Sequence, residues 1–138
     1  MITKDSELSD DIAIPAVSKE DFEGVVCGYH LAFIRPDKKL LNGNYLMRLL
    51  QSKGVNTQFV IWALGVTRFG VSTYPIKNSF ILIPPKKEQE EIVKYLDKAT
   101  LQIDTAVKKI KKRMKLLEEY KKSLIYNLVT GKVSVTSK

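Results

Sequence analysis

From Lys86 to about Thr130, apolar residues return on a seven-residue beat. Leu96, Ile103, Ile110, Leu117 and Leu124 form one series. Val93, Thr100, Val107, Met114, Lys121 and Leu128 form a second, and steps of three and four interleave the two. This is the a and d pattern of a coiled coil. It predicts one amphipathic helix of roughly 45 residues, about 65 Å long at about 1.5 Å per residue. A helix of that length outruns what a 138-residue chain can cover with its own globule. Its seam, made of Ile103, Val107, Ile110, Met114, Leu117, Leu124 and Leu128, is therefore expected to project and to lie against a partner helix. Local signals agree with the pattern. Pro84 and Pro85 disfavour helix before them and leave Lys86 free to start one. Glu88, Glu90 and Glu91 fall in the first turns, Lys121 and Lys122 in the last turns, and Gly131 suits a helix end. Thr100, a poor seam residue, could cap a second helix after a kink at 97–100.

Before Pro84 the pattern is mixed. Asp11 to Pro15 and Val25 to Ile34 read as strands, the second ending at Arg35-Pro36-Asp37. Asn42 is placed to cap a helix carrying Leu46, Leu49 and Leu50 at helical spacing. Phe59 to Leu64 fits either a helix or a strand. Ser79 to Ile83 reads as a strand that delivers the chain to Pro84. The expected organisation is a mixed α/β (α+β) domain over residues 1–85, a long spacer or pairing helix over 86–131, and a tail over 132–138.

Composition narrows the function. Hydrophobic residues make up 44% of the chain, enough for a real core, and the net charge is +8. A basic balance is compatible with a polyanion partner without establishing one. The single cysteine, Cys27, excludes an intramolecular disulfide and a cysteine-based metal cluster; its apolar surroundings predict a buried strand thiol. The single histidine, His30, excludes paired-histidine metal sites. No apolar run approaches membrane-spanning length and no basic-then-hydrophobic leader opens the chain, so a cytoplasmic protein without membrane association is expected.

The chemistry of catalysis is not evident. Gly65-Val66-Thr67-Arg68-Phe69-Gly70 has the outer spacing of a phosphate loop, but Val71 stands where the lysine belongs. His30 and Cys27 lie three apart, which on a strand points them to opposite faces. The many carboxylates of the helix, Glu88 and Glu91 among them, read as solvated charges. Two features remain. One is the basic run of Lys108, Lys109, Lys111, Lys112, Arg113 and Lys115, either the solvated face of a coiled coil or a contact for phosphate or an acidic partner. The other is the turn from Gly65 to Tyr74, where Thr67, Arg68, Ser72, Thr73 and Tyr74 could serve phosphate positioning and base reading, or form an ordinary surface turn.

These residues also resemble a known family. Ile83-Pro84-Pro85-Lys86-Lys87-Glu88-Gln89-Glu90-Glu91-Ile92-Val93 is similar to the junction of type I restriction-modification specificity subunits. Tyr95-Leu96-Asp97-Lys98, Ile103-Asp104, the stretch from Leu116 to Ile125, and Val129-Thr130-Gly131-Lys132-Val133 continue the likeness. Upstream, Ile2 to Ser6, Asp11 to Pro15, Val26 to Leu31 and Gly65 to Gly70 resemble the latter part of a target recognition domain.

The resemblance implies a subunit with no catalytic centre, no cofactor and no metal of its own. Such a subunit reads double-stranded DNA in the major groove and recruits methyltransferase subunits, which use S-adenosylmethionine, and an ATP-dependent restriction subunit. In the family two long helices pack antiparallel as a spacer between two recognition domains. The residues expected to face DNA are Arg68 and Thr67, then Lys4, Ser6 and His30. With one long helix and a start within a recognition domain, the chain is expected to be a C-terminal part of such a subunit. It would pair with itself or with a second specificity half through the helix. The rival reading is an interaction module that pairs through the helix without reading DNA.

Overall fold

The computed structural model describes residues 1–20 and 22–135; the last three residues of the expected 132–138 tail lie outside it. Its elements run β1 (Ile2–Thr3), β2 (Asp5–Ser6), a 3-10 turn at Ser9–Asp11, β3 (Leu31–Ala32), α1 (Gly43–Gln51), α2 (Lys53–Val60), β4 (Phe69–Gly70), α3 (Thr73–Lys77) and α4 (Lys86–Val129). The class is α+β, with small antiparallel sheets and one long helix. The chain divides into two compact units, Met1–Lys94 and Tyr95–Lys138.

In the first unit, β1 pairs with β3 and β2 pairs with β4, both antiparallel. Lys4 sits between β1 and β2 and ties the two sheets together. Its backbone N–H donates to the His30 carbonyl at 2.7 Å, and its carbonyl accepts from the Val71 N–H at 2.9 Å. The helices form where local chemistry favours them. Asn42 caps α1 as its sequence position predicts, its side chain accepting from the N–H groups of Asn44 and Tyr45. Tyr45, Leu46 and Leu50 on the inner face of α1 join Ile2, Ile12, Phe59, Val71 and Val93 in one core. Phe59 and Val60 close α2, which settles the ambiguous 59–64 run: its first two residues are helical and Leu64 pairs with Gly70 as an isolated bridge.

Three expected strands are corrected. Between Asp11 and Pro15 the chain makes the end of the 3-10 turn, then a residue of positive φ at Ala13, and only one bridge, Pro15 to Ile2. Of Val25 to Ile34 only Leu31 and Ala32 are strand. Val25 and Val26 are exposed, and so is Cys27, which is not a buried strand thiol. The apolar run is there, but among the described residues no strand pairs with its first part, and an extended segment becomes a strand only by pairing. For the same reason Ser79 to Ile83 is not a strand. A side chain takes the place of the missing neighbour: the Gln58 amide donates to the Phe80 carbonyl and accepts from the Phe80 N–H, both at 2.9 Å.

The start of α4 is fastened to the first unit by Gln89, which has no solvent exposure. Its side-chain oxygen accepts from the Asn42 N–H at 2.8 Å; its amide donates to the carbonyls of Leu40 at 2.9 Å and Pro84 at 2.7 Å. A buried amide thus satisfies three backbone groups that no regular element serves. Val93, the first residue of the heptad series, is buried in the same core rather than free for pairing.

Helix α4 is continuous over 44 residues. Thr100 does not begin a second helix; its hydroxyl donates back to the Leu96 carbonyl at 2.7 Å, the bond by which a threonine satisfies its hydroxyl inside a helix. Helix α4 ends through Gly131, at φ 72, with the N–H groups of Gly131 and Val133 returning to the carbonyls of Leu128 and Asn127. Lys121 and Lys122 stand about two turns back from that end, and no base lies in the last turn itself. In the second unit Ile103, Val107, Ile110, Met114, Leu117 and Leu124 are all exposed, and Leu128 is half-buried.

Candidate nucleic-acid interface

Where β2, β3 and β4 meet, the fold gathers residues far apart in sequence. Asp5 and Ser6 lie opposite Gly70 and Phe69 in the β2–β4 ladder. That register places Arg68, just before β4, beside Asp5 of β2 and Glu7 just after it. The Lys4–His30 backbone bond sets His30 against the same strand. One oxygen of Asp5, Oδ1, accepts from both Arg68, at 3.3 Å, and His30 Nδ1. Arg68 also reaches the Glu7 carboxylate at 3.7 Å, and the Tyr29 ring lies 3.7 Å from the His30 ring, centroid to centroid.

Exposure separates the roles. The Asp5 side chain keeps 22% of its exposure, against 42% for His30 and 49% for Arg68, so the acid lies inside and the two nitrogen-bearing groups face solvent. Partial burial pushes the Asp5 carboxyl up, but the hydrogen bonds and charges of His30 and Arg68 outweigh it and hold the group below its ordinary value.

Glycine at position 65 makes the arginine loop possible. A Cβ there would sit 1.7 Å from the Arg68 carbonyl oxygen, and its φ of 155° is a conformation that side-chain-bearing residues rarely adopt. The loop from Gly65 is closed by the reciprocal Leu64–Gly70 backbone pair, at 3.0 and 3.1 Å. Gly65→Ala is expected to open this loop and destabilise the chain by about 2–4 kcal/mol, since backbone rather than a flexible side chain blocks the new methyl group. Urea unfolding monitored by circular dichroism tests this. A midpoint equal to the parent's would show that the loop rearranges freely.

Of the five residues expected to face DNA, the structure brings Arg68 and His30 together. It places Ser6 on the adjoining strand β2, Lys4 just before that strand and Thr67 on the loop. The Ser6 hydroxyl accepts from the Leu8 N–H at 3.3 Å, a turn contact. Thr67 is exposed, one residue before Arg68. Asp5 and Glu7 were not expected. The only signal for Asp5 was an acid between Lys4 and Ser6, and nothing in the sequence ties it to partners 25 and 63 positions away.

Among the described residues no group of three or more histidine, cysteine or acidic side chains could hold a metal ion, and no helix is long and apolar enough to cross a membrane.

The family model of the type I restriction modification DNA specificity domain matches residues 9–116, most of the chain. The chain belongs to this family. No curated protein and no solved structure gives a match. Specificity domains of this family are non-catalytic modules for DNA recognition. The match takes in His30, Thr67 and Arg68, together with Ile103, Val107, Ile110 and Met114 of the helix. Lys4, Asp5 and Ser6 lie before it, and Leu117, Leu124 and Leu128 after it. The short N-terminal strands that precede the match pair with β3 and β4, and β2 supplies the acid that bonds both Arg68 and His30.

Proposed function

We propose that the chain is a DNA-reading part of a type I specificity subunit, acting in the cytoplasm, with its contacts to double-stranded DNA made by the Arg68 and His30 cluster. Lys4, Ser6 and Thr67 flank that cluster and supply backbone contacts. The observation that carries this reading is the Asp5-anchored pair itself: two solvent-facing nitrogen groups held by one recessed carboxylate in a domain of the DNA specificity family. Arginine held by a carboxylate keeps further N–H donors for a phosphate or a base edge.

Assembly is assigned to α4. The exposed series Ile103, Val107, Ile110, Met114, Leu117 and Leu124, continued by Leu128, forms a seam for a second long helix, either of another copy or of a second specificity half. Docking of methyltransferase and restriction subunits follows from the family. Pairing without DNA reading is the rival, and the same exposed seam favours it.

Arg68→Ala separates the two. It is expected to weaken DNA binding by about 1–3 kcal/mol if the guanidinium makes a bidentate base contact, and to leave assembly intact. Fluorescence anisotropy with duplex DNA at several salt concentrations measures it. Affinity that falls steeply with salt marks phosphate contact. No duplex binding by the assembled protein, or equal affinity for parent and variant, would leave the pairing module as the better reading.

A further inference from the structure

We propose that Asp5 is a positioning residue that sets Arg68 and His30 as a donor and an acceptor for one G·C base pair. This deepens the DNA-reading assignment above and rests on it. Nδ1 of His30 donates to the Asp5 carboxylate, and with the ring taken in its neutral form Nε2 carries the lone pair and accepts. The same carboxylate oxygen holds one N–H of Arg68, and Glu7 holds another side of the guanidinium. Two acids thus flank the guanidinium, which keeps further N–H donors facing solvent. The two groups share one oxygen, so they stand side by side.

A fork of donors beside a single acceptor has one complement in the major groove. Guanine offers two adjacent acceptors, and its cytosine partner offers an amino donor next to them. An A·T pair alternates acceptor, donor, acceptor, which this arrangement does not match. Asp5 is recessed and itself an acceptor already shared by two donors, so it acts through its neighbours and does not touch the base. Without it the histidine tautomer and the guanidinium plane are both released.

The test is selection from a randomised duplex library by the full chain, alone and in the complex that co-purifies with it, followed by sequencing. The parent is expected to enrich duplexes carrying one G·C position that Asp5→Asn no longer selects, at least tenfold weaker there and unchanged at other positions. Arg68→Ala should lose preference at the same position. Asp5→Glu, which keeps the charge but advances the carboxylate by a methylene, covers the case in which the asparagine variant does not fold, and should blur that position too. A general loss of affinity spread over every position would mean that Asp5 is merely structural. Identical enrichment by parent and Asp5 variants would overturn this inference and leave DNA reading standing. A parent that enriches nothing would overturn both.

Discussion

Gln89→Ala is expected to destabilise the first unit by about 3–5 kcal/mol. The substitution removes a fully buried amide and strands the Asn42 N–H and the carbonyls of Leu40 and Pro84. Each buried group left unpaired costs about 1–3 kcal/mol, and the vacated volume adds to that unless water fills it. The loss falls at a junction, because the same amide joins the N-cap of α1 to the first turns of α4. Urea unfolding of the full chain, followed by circular dichroism, gives the magnitude. Gln89→Glu is the informative companion, with the same shape and no amide donor. A midpoint for Gln89→Ala within about 1 kcal/mol of the parent would mean that water serves all three backbone groups equally well.

Ile110→Asp is expected to weaken helix pairing at least a hundredfold, which corresponds to about 3 kcal/mol. Ile110 lies mid-way along the seam and is 55% exposed in the single chain, so the folded monomer should tolerate the change. In a paired seam the carboxylate would be buried with no partner, once on each helix if the pairing is between copies. Light scattering across a concentration series reads the effect directly. An unchanged mass with an unchanged dissociation constant would remove Ile110 from the seam and with it the assignment of the a and d positions. Thr105 lies on the face opposite the seam and is exposed, so Thr105→Asp serves as the control expected to pair normally.

The long helix was legible because its determinants are local. Proline before it, acid at its first turn, a seven-residue apolar beat along it and glycine after it all act within a few residues of one another. The structure places α4 at Lys86–Val129 as those signals require. The Asn42 cap of α1 is a second case of the same kind. The expected strands went wrong where pairing had to come from elsewhere. Val25, Val26 and Phe80 carry strand-forming side chains, yet a strand needs a neighbour, and the Gln58 side chain or open solvent stands in its place.

At the candidate interface, the residue types together with the family resemblance made Arg68 and His30 residues expected to face DNA. They could not reveal Asp5 as the acid that joins the two, since the pairing spans β2, β3 and β4 and depends on their register. By itself, then, the sequence determined the α4 helix, its periodic seam, its ends, the α1 cap and the likeness to a DNA specificity family, all written in near-neighbour spacing. Only the tertiary structure decided which extended segments become strands, which buried amide holds α4 to the core, and which carboxylate sets Arg68 and His30 side by side. Those outcomes depend on hydrogen-bonding groups 22 to 63 residues apart finding each other, and no local pattern encodes that meeting.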